Sequence, residues 1–240
     1  MKHIASCSFG KDSLAMVLLL IENDIPLDEV VFFDTGMEFK AIYNTRDKIL
    51  PLLEEKGIKY TELKPKQSFE YKIFEKPVKK RGTQQIHKFG YGWCGGSCRW
   101  GTTEKLKAID KYCKEQNAIC YVGIAVDEKQ RAEKNKCNWK RYPLIDFNIS
   151  EKQALEYCYK KGFFFEEKGV RLYDILKRVS CWCCRNKNLN ELYNYYKFLP
   201  EYWGRLKDFQ SRIKEPMKKS GSVFELEEKF IMRCKNEKLQ

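Results

Sequence analysis

Ser8-Phe9-Gly10-Lys11-Asp12-Ser13 joins a short β-type run, Lys2-His3-Ile4-Ala5-Ser6-Cys7, to a helix-forming run, Leu14-Ala15-Met16-Val17-Leu18-Leu19-Leu20-Ile21. A small glycine-containing turn at the mouth of a helix offers unpaired backbone N–H groups and the positive end of the helix dipole. That makes an anion site, and phosphate is its usual occupant. Lys11 adds a full positive charge beside it. The turn therefore points to a nucleotide, although it lacks the G-x-x-x-x-G-K-[ST] spacing of the longer phosphate loop.

Outward from the turn, residues 1–60 read β–α–β–α–β. Asp28-Glu29-Val30-Val31-Phe32-Phe33-Asp34 is a buried-type strand ending in a carboxylate. Residues 40–56 form a helix with Ile42, Ile49, Leu52 and Leu53 on one apolar stripe, and Gly57 ends it before the strand Ile58–Leu63. This alternation predicts an α/β fold: a parallel twisted, Rossmann-like sheet with helices on both faces. Ligands of such sheets bind at the carboxyl ends of the strands, where the turn and Asp34 both fall. Residues 64–100 break the rhythm with a basic loop, Lys76–Gly82, and a second loop, Gly90–Gly96. A helix over 102–116 and a strand over Ala118–Ile124 resume it, and Tyr142-Pro143-Leu144-Ile145 ends the sheet region. Ser150-Glu151-Lys152-Gln153 caps a helix running to about residue 161. The last sixty residues read as helical and basic, broken at Pro200 and Pro216. The expected organisation is a nucleotide-binding α/β domain over 1–145, with a basic insertion over about 64–100, and a helical cysteine-containing region over 146–240.

At 240 residues the chain is one domain, or one domain and an appendage. No apolar run approaches the ~20 residues of a membrane span, and the N-terminus lacks a signal-peptide pattern. A cytoplasmic location without membrane contact is expected. The net charge of +13 is unevenly placed: residues 1–60 carry 7 Lys and Arg against 10 Asp and Glu, whereas residues 61–140 carry 18 against 9. A basic face favours a polyanion such as tRNA or DNA, and a lysine-rich, merely solvated surface is the plain alternative.

Eleven cysteines in a reducing compartment do not predict a disulfide framework. Cys7, Cys113, Cys120, Cys158 and Cys234 are dispersed and read as small buried apolar residues; Cys137 is ambiguous. Cys94-Gly95-Gly96-Ser97-Cys98 and Cys181-Trp182-Cys183-Cys184 are clustered. Two thiol pairs from distant segments suit a four-thiolate site for zinc or an iron–sulfur cluster, and spacing does not choose between them. The candidate ligands are Cys94, Cys98, Cys181 and Cys184, with Cys183 as spare or alternative; a reduced, metal-free set is the other reading. His3 and His87 are the two histidines and are far apart in sequence, which argues against a histidine dyad. Trp93, Trp100, Trp139, Trp182 and Tyr91 stand among basic residues and could stack bases or pack around the cysteines.

The S-x-G-K-D-S turn resembles the PP-loop of the ATP pyrophosphatase superfamily, which splits ATP between the α and β phosphates and adenylates a substrate. Asp34-Thr35-Gly36-Met37-Glu38-Phe39 is similar to the D-T-G-x-x-F element of its phosphoadenosine phosphosulfate reductase-like branch, with a one-place offset. Gly123-Ile124-Ala125-Val126-Asp127-Glu128-Lys129-Gln130-Arg131 resembles that branch's G-I-R-x-D-E-x-x-R element, with Ala125 in place of the arginine. Trp93-Cys94 through Lys105, Tyr142–Ile145 and Arg178-Val179-Ser180-Cys181 resemble its W-C-T…K and closing P-L…R-x-G-C-x-x-C portions.

The resemblance implies the adenine nucleotide α-hydrolase-like fold and an enzyme using ATP and Mg²⁺. Lys11, Asp12 and Ser13 would be catalytic. Ser8, Phe9, Gly10, Asp34, Thr35, Gly36, Gly123, Asp127, Glu128 and Arg131 would complete the nucleotide site. It also favours a [4Fe–4S] cluster over zinc. Three functions follow as expectations. The first is ATP-dependent sulfur transfer of the tRNA- or DNA-thiolating type, with a sulfur-donor protein as a further partner. The second is reduction of an adenylyl sulfate. The third is a non-catalytic nucleotide- or nucleic-acid-binding module with structural zinc.

Overall fold

The computed structural model describes residues 1–96, 98–134 and 137–237, apart from the side chains of Arg99 and Trp100. In chain order the elements are β1 (Lys2–Ser6), α1 (Lys11–Glu22), β2 (Glu29–Phe33), α2 (Lys40–Glu55), β3 (Lys59–Leu63), β4 (Pro77–Lys79), β5 (Ile86–Phe89), α3 (Glu104–Glu115), β6 (Ala118–Val122), α4 (Lys129–Lys134), β7 (Lys140–Arg141), α5 (Pro143–Asp146), α6 (Glu151–Lys160), α7 (Leu172–Ile175), α8 (Leu189–Phe198), α9 (Pro200–Arg212) and α10 (Val223–Glu237). They pack as two units. One comprises Met1–Pro65 with Glu104–Glu166, the other Lys66–Thr103 with Glu167–Gln240.

The first unit is built on a five-stranded sheet in the order β3-β2-β1-β6-β7, every neighbouring pair parallel. All five residues of β2 are buried, as a strand covered on both faces must be. Ile4, Val31, Phe33, Ala118 and Cys120 point to one face and pack against Ile109 and Cys113 of α3. Ala5, Val30 and Phe32 are equally buried on the other face. The chain runs outward from β1 to β3, then returns to place β6 on the other side of β1. The strand order therefore reverses at β1, and the crevice at the carboxyl ends of β1 and β6 is where such sheets hold ligands. α6 carries the Ser150–Gln153 capping box and packs on α1 in this same unit.

In the second unit the basic stretch read as a loop is a short antiparallel ribbon, β4 paired with β5, with a register shift between Val78 and Lys79. Runs of three and four residues are too short to give an alternation legible in sequence. Pro200 opens α9 instead of merely breaking a helix, because proline's fixed φ suits the first helical position.

At the amino end of the sheet, Glu29 is fully buried. Its carboxylate meets Lys2 Nζ at 2.6 Å and Tyr112 Oη at 2.7 Å, and accepts a hydrogen bond from Thr61. Burial pushes its pKa up, but the bonds from Lys2, Thr61 and Tyr112 outweigh burial and hold it down at about 2. A depressed carboxylate stabilises the fold above its unfolded pKa of about 4.5, and that contribution is lost as pH falls through about 2. The expected outcome is a wild-type advantage over Glu29→Gln that is full at pH 6 and shrinks steadily between pH values of about 4.5 and 2, read as urea midpoints across that range.

Candidate functional site

The Ser8–Ser13 turn is held open by its own hydroxyls. The Ser8 N–H donates to Ser13 Oγ at 3.0 Å, the two hydroxyl oxygens lie 3.0 Å apart, and Ser13 Oγ donates to the Gly10 carbonyl at 3.2 Å. Phe9 takes a left-handed φ of 54°, and its fully buried ring packs edge-on to Phe32 at 5.2 Å. The ring anchors the turn from beneath while the backbone bends above it. Gly10 precedes α1, and no side chain caps this helix among the described residues. The first-turn N–H groups, with their share of the helix dipole, are left to an anion.

Three further segments meet this turn. Gly123, just past β6, is one. A Cβ there would stand 2.7 Å from Ser13 Cα and 2.9 Å from Ser13 N, so only glycine fits. The second is Asp127, whose Oδ2 accepts the Glu151 N–H at 2.8 Å; neighbouring Glu128 pairs with Arg131 at 2.6 Å. The third is Glu151 at the start of α6. Lys11 Nζ is buried between Asp12 Oδ1 at 2.8 Å and Glu151 Oε2 at 2.7 Å. Burial raises the Asp12 pKa. Lys11 pulls it back down, and the nearby Glu151 and Glu128 push it up. Cys158 of α6 donates its thiol to the Lys11 carbonyl at 3.3 Å and is itself pushed up to about 12 by burial. Gly123 thus lies against the Ser8–Ser13 turn, Asp127 is joined to it through Glu151, Glu128 acts on Asp12, and Arg131 pairs with Glu128.

Asp34, Thr35 and Gly36 follow β2 at the same edge of the sheet, where the Asp34 N–H donates to the Leu63 carbonyl of β3 at 2.8 Å. Asp34 Oδ1 accepts the Gly36 N–H at 2.8 Å and the Tyr43 hydroxyl at 2.7 Å. Thr35 donates to Glu38 at 3.2 Å, and Gly36 has a φ of 75° with open space where a Cβ would stand. Ala125, in the place of the family's arginine, is buried and offers no ligand group.

Glu151 is the residue that sequence reasoning missed. Ser150–Gln153 announces a cap, and the cap is present: Ser150 Oγ accepts the Gln153 N–H at 3.2 Å. Nothing local says that the helix it begins will lie against α1.

The thiols lie in the second unit. Cys94, Cys98, Cys181, Cys183 and Cys184 all line one cavity of about 90 Å³, walled also by Phe69, Ile73 and Trp93. Asn186 clasps the two cysteine segments together, accepting the Gly96 N–H at 3.0 Å and donating to the Gly96 carbonyl at 2.9 Å. Arg185 adds a bond to the Trp93 carbonyl at 3.4 Å. Cys98 Sγ accepts the Gly101 N–H at 3.3 Å. Cys183 is buried, and burial raises its thiol pKa far above the usual range, with Cys181, Cys184 and Cys98 adding to the rise; the other four thiols are half-buried. None of the eleven cysteines is in a disulfide, and among the described residues no three His, Cys, Asp or Glu side chains converge to hold a metal ion.

Cys7, Cys113, Cys120 and Cys158 are buried as expected of dispersed cysteines. Cys234 is only half-buried, because its helix α10 turns that side toward solvent, and its sulfur lies 3.1 Å from the Tyr193 hydroxyl. Cys137 is also half-buried. His3 is a strand residue with Nδ1 2.8 Å from the Tyr121 hydroxyl, and His87 sits exposed on β5. Trp93 and Trp182 are buried around Phe209, which removes them as base-stacking platforms. Trp139 is half-buried beneath Lys140, 4.6 Å from its ring centre. Ser97 and the Trp100 side chain lie outside the described residues.

The Gly123 contact yields a direct test. Gly123→Ala drives a methyl group into the α1 backbone, which cannot yield as a flexible side chain would. It is expected to cost about 1–3 kcal/mol of stability, read as the denaturant midpoint, and to weaken nucleotide binding, read by titration.

The profile of the phosphoadenosine phosphosulfate reductase domain matches residues 2–148, which take in the turn, the Asp34 loop and the Gly123–Arg131 segment. Among curated proteins, the chain is similar to two uncharacterized proteins of Methanocaldococcus jannaschii. MJ0066 is 26% identical over 216 residues, covering 82% of this chain and 38% of that protein. MJ0973 is 26% identical over 224 residues, covering 87% and 47%. The chain thus spans less than half the length of either relative. With the domain profile covering more than half of its residues, the chain belongs to the phosphoadenosine phosphosulfate reductase domain family.

Proposed function

We propose that this chain cleaves ATP between the α and β phosphates to adenylate an acceptor oxygen, and that a sulfur nucleophile then replaces the activated oxygen. The observation carrying the first step is Lys11, a lysine in the first turn of an uncapped helix with carboxylates on either side. The acceptor oxygen attacks the α phosphorus, and the α–β bridging bond breaks. Pyrophosphate leaves with the electron pair onto the first-turn N–H groups, the Ser8 and Ser13 hydroxyls and Lys11. Stabilising that developing charge is electrostatic catalysis and asks for no protein nucleophile. Asp12, with Asp127 and Glu128 near it, supplies carboxylate oxygens for Mg²⁺, a hard cation. In the second step sulfur at the sulfide level attacks the activated carbon, and AMP departs with the oxygen.

The thiol cavity supports a four-thiolate centre held by Cys94, Cys98, Cys181 and Cys184, with Cys183 as the spare. The donor chemistry fits: five thiols line one cavity, and the indole N–H of Trp93, which also lines it, is buried without a hydrogen-bond partner among the described residues. An iron–sulfur cluster bound there would supply a place to hold the sulfur that is transferred. A structural zinc would serve the same ligands.

The second reading, reduction of an adenylyl sulfate, draws on the family's own description. Pyrophosphate release separates the two. Wild-type protein with ATP, Mg²⁺ and RNA or DNA acceptors is expected to release pyrophosphate, and Lys11→Ala to slow release by about 100-fold or more. No release with any acceptor would favour the reductase.

Metal analysis of anaerobically purified protein checks the centre. About four irons per chain are expected, with an absorbance shoulder near roughly 400 nm. Cys94→Ser and Cys181→Ser are each expected to lose iron, and Cys183→Ser to keep it. Zinc without iron would replace the cluster by a zinc site.

A further inference from the structure

The β4–β5 ribbon is the most one-sidedly charged part of the chain. Residues 76–103 contain six Lys and Arg and no Asp or Glu. Residues 79–87 are all exposed. Among the described residues Lys79, Lys80 and Arg81 have no carboxylate partner; Lys79 donates to the neutral Gln84. Lys88 alone of the ribbon's cations is paired, with Glu215 at 3.0 Å. Three adjacent unpaired cations at a ribbon tip repel one another, so the chain holds them there at a cost that a bound polyanion would reverse.

Apolar groups stand beside the charge. Phe89 is 67% exposed and Ile86 is 46% exposed, Phe89 opposite Pro77 and Ile86 opposite Lys79 in the strand register. An exposed phenyl ring among unpaired cations is the pairing of groups that binds unpaired nucleic acid, with cations on the phosphates and a flat ring under a base.

The ribbon is also fixed at its base. Gly90 N donates to the Lys76 carbonyl at 2.8 Å, Tyr91 N to the Lys72 carbonyl at 3.0 Å and Gly92 N to the Ile73 carbonyl at 3.0 Å. A Cβ on Gly90 would stand 2.4 Å from the Ile73 carbonyl oxygen. Ile73 walls the thiol cavity, and Trp93-Cys94 follows within four residues of Gly90. The strand bearing Phe89 therefore leads directly into the cavity wall.

We propose that the β4–β5 ribbon docks an unpaired segment of RNA, its phosphates on Lys79, Lys80 and Arg81 and a base on Phe89. Unpaired bases are a standing feature of folded RNA, whereas duplex DNA hides the base faces that Phe89 needs. The assignment rests on the reading above only in naming the acceptor class that the proposed sulfur transfer would act on.

Fluorescence anisotropy tests it without ATP, using a labelled single-stranded RNA 20-mer, the same sequence as single-stranded DNA, and the RNA duplex, between 50 and 200 mM KCl. Wild type is expected to favour the single strands over the duplex, since phosphates and unpaired bases are what the cations and the ring engage. The variant K79E/K80E/R81E is expected to lose about tenfold or more in affinity, and its slope of log K against log salt to become shallower by about 2, at about 0.7 for each phosphate released. Phe89→Ala is expected to lose about five- to a hundredfold with its salt slope unchanged. All four side chains are exposed, so thermal midpoints near wild type certify the folds. RNA affinity unmoved by the triple variant, or equal binding of the duplex, overturns the proposal. A wild-type chain that binds no RNA yet releases pyrophosphate from ATP overturns it and leaves ATP cleavage standing. RNA binding through the ribbon with ATP left intact does the reverse.

Discussion

The contact on which the nucleotide end of the molecule depends is the backbone of Gly123 lying against the first turn of α1, where a Cβ would stand 2.7 Å from Ser13 Cα. It is a contact of absence, since any side chain would part the two segments. It occurs where the strand order reverses, so β1 and β6 deliver their carboxyl ends side by side with no strand between them. The turn after β1 and the loop after β6 then share one crevice, and Asp127 and Glu128 come to the same place as Lys11. Close backbone approach sets the position of the first-turn N–H groups, where the reading proposed above puts the phosphates.

Burying the Lys11 ammonium beneath the turn creates a second constraint, because a buried cation without a counter-charge is strongly disfavoured. Asp12 and Glu151 meet it from two elements distant in sequence. The protein's own carboxylates therefore neutralise the lysine. On the reading proposed above, phosphate oxygens exchange with carboxylates the lysine already holds, so it gains little from ground-state binding. Its interaction is kept for the charge that grows on the departing pyrophosphate, which is where binding energy raises a rate.

The parts legible in the sequence are those whose signal is local. The Ser8–Ser13 turn sits between an apolar strand and an apolar helix; Gly57 ends α2, and Ser150 with Gln153 starts α6. Each is a matter of a few adjacent residues obeying backbone chemistry, and together they made a parallel sheet readable. Glu151 was not readable, because its partner is 140 residues away and only the packing of α6 on α1 joins them. The β4–β5 ribbon was not readable either. Its strands are too short to show alternation, and its pairing is set by the Gly90–Gly92 backbone bonds to residues 72–76. The tryptophans left two readings open, base stacking or packing around the cysteines; Trp93 and Trp182 are turned inward around Phe209, which the sequence places far from both.

The five clustered thiols differ from the other cysteines in a way spacing alone does not convey. Cys7, Cys113, Cys120 and Cys158 are sealed in the core of the first unit, where a thiol is only a small apolar group. Cys94, Cys98, Cys181 and Cys184 are half-buried around one cavity, within reach of solvent. Cys183 lies between two of them in sequence but is buried, next to a fully enclosed Trp182. Burial disfavours its thiolate, so it is the least suited of the five to be a ligand and the best suited to remain a thiol. On the reading proposed above, exposure would favour the four half-buried thiols over Cys183 as ligands. Asn186 ties both backbone segments together through Gly96 beside the cavity that the five thiols line.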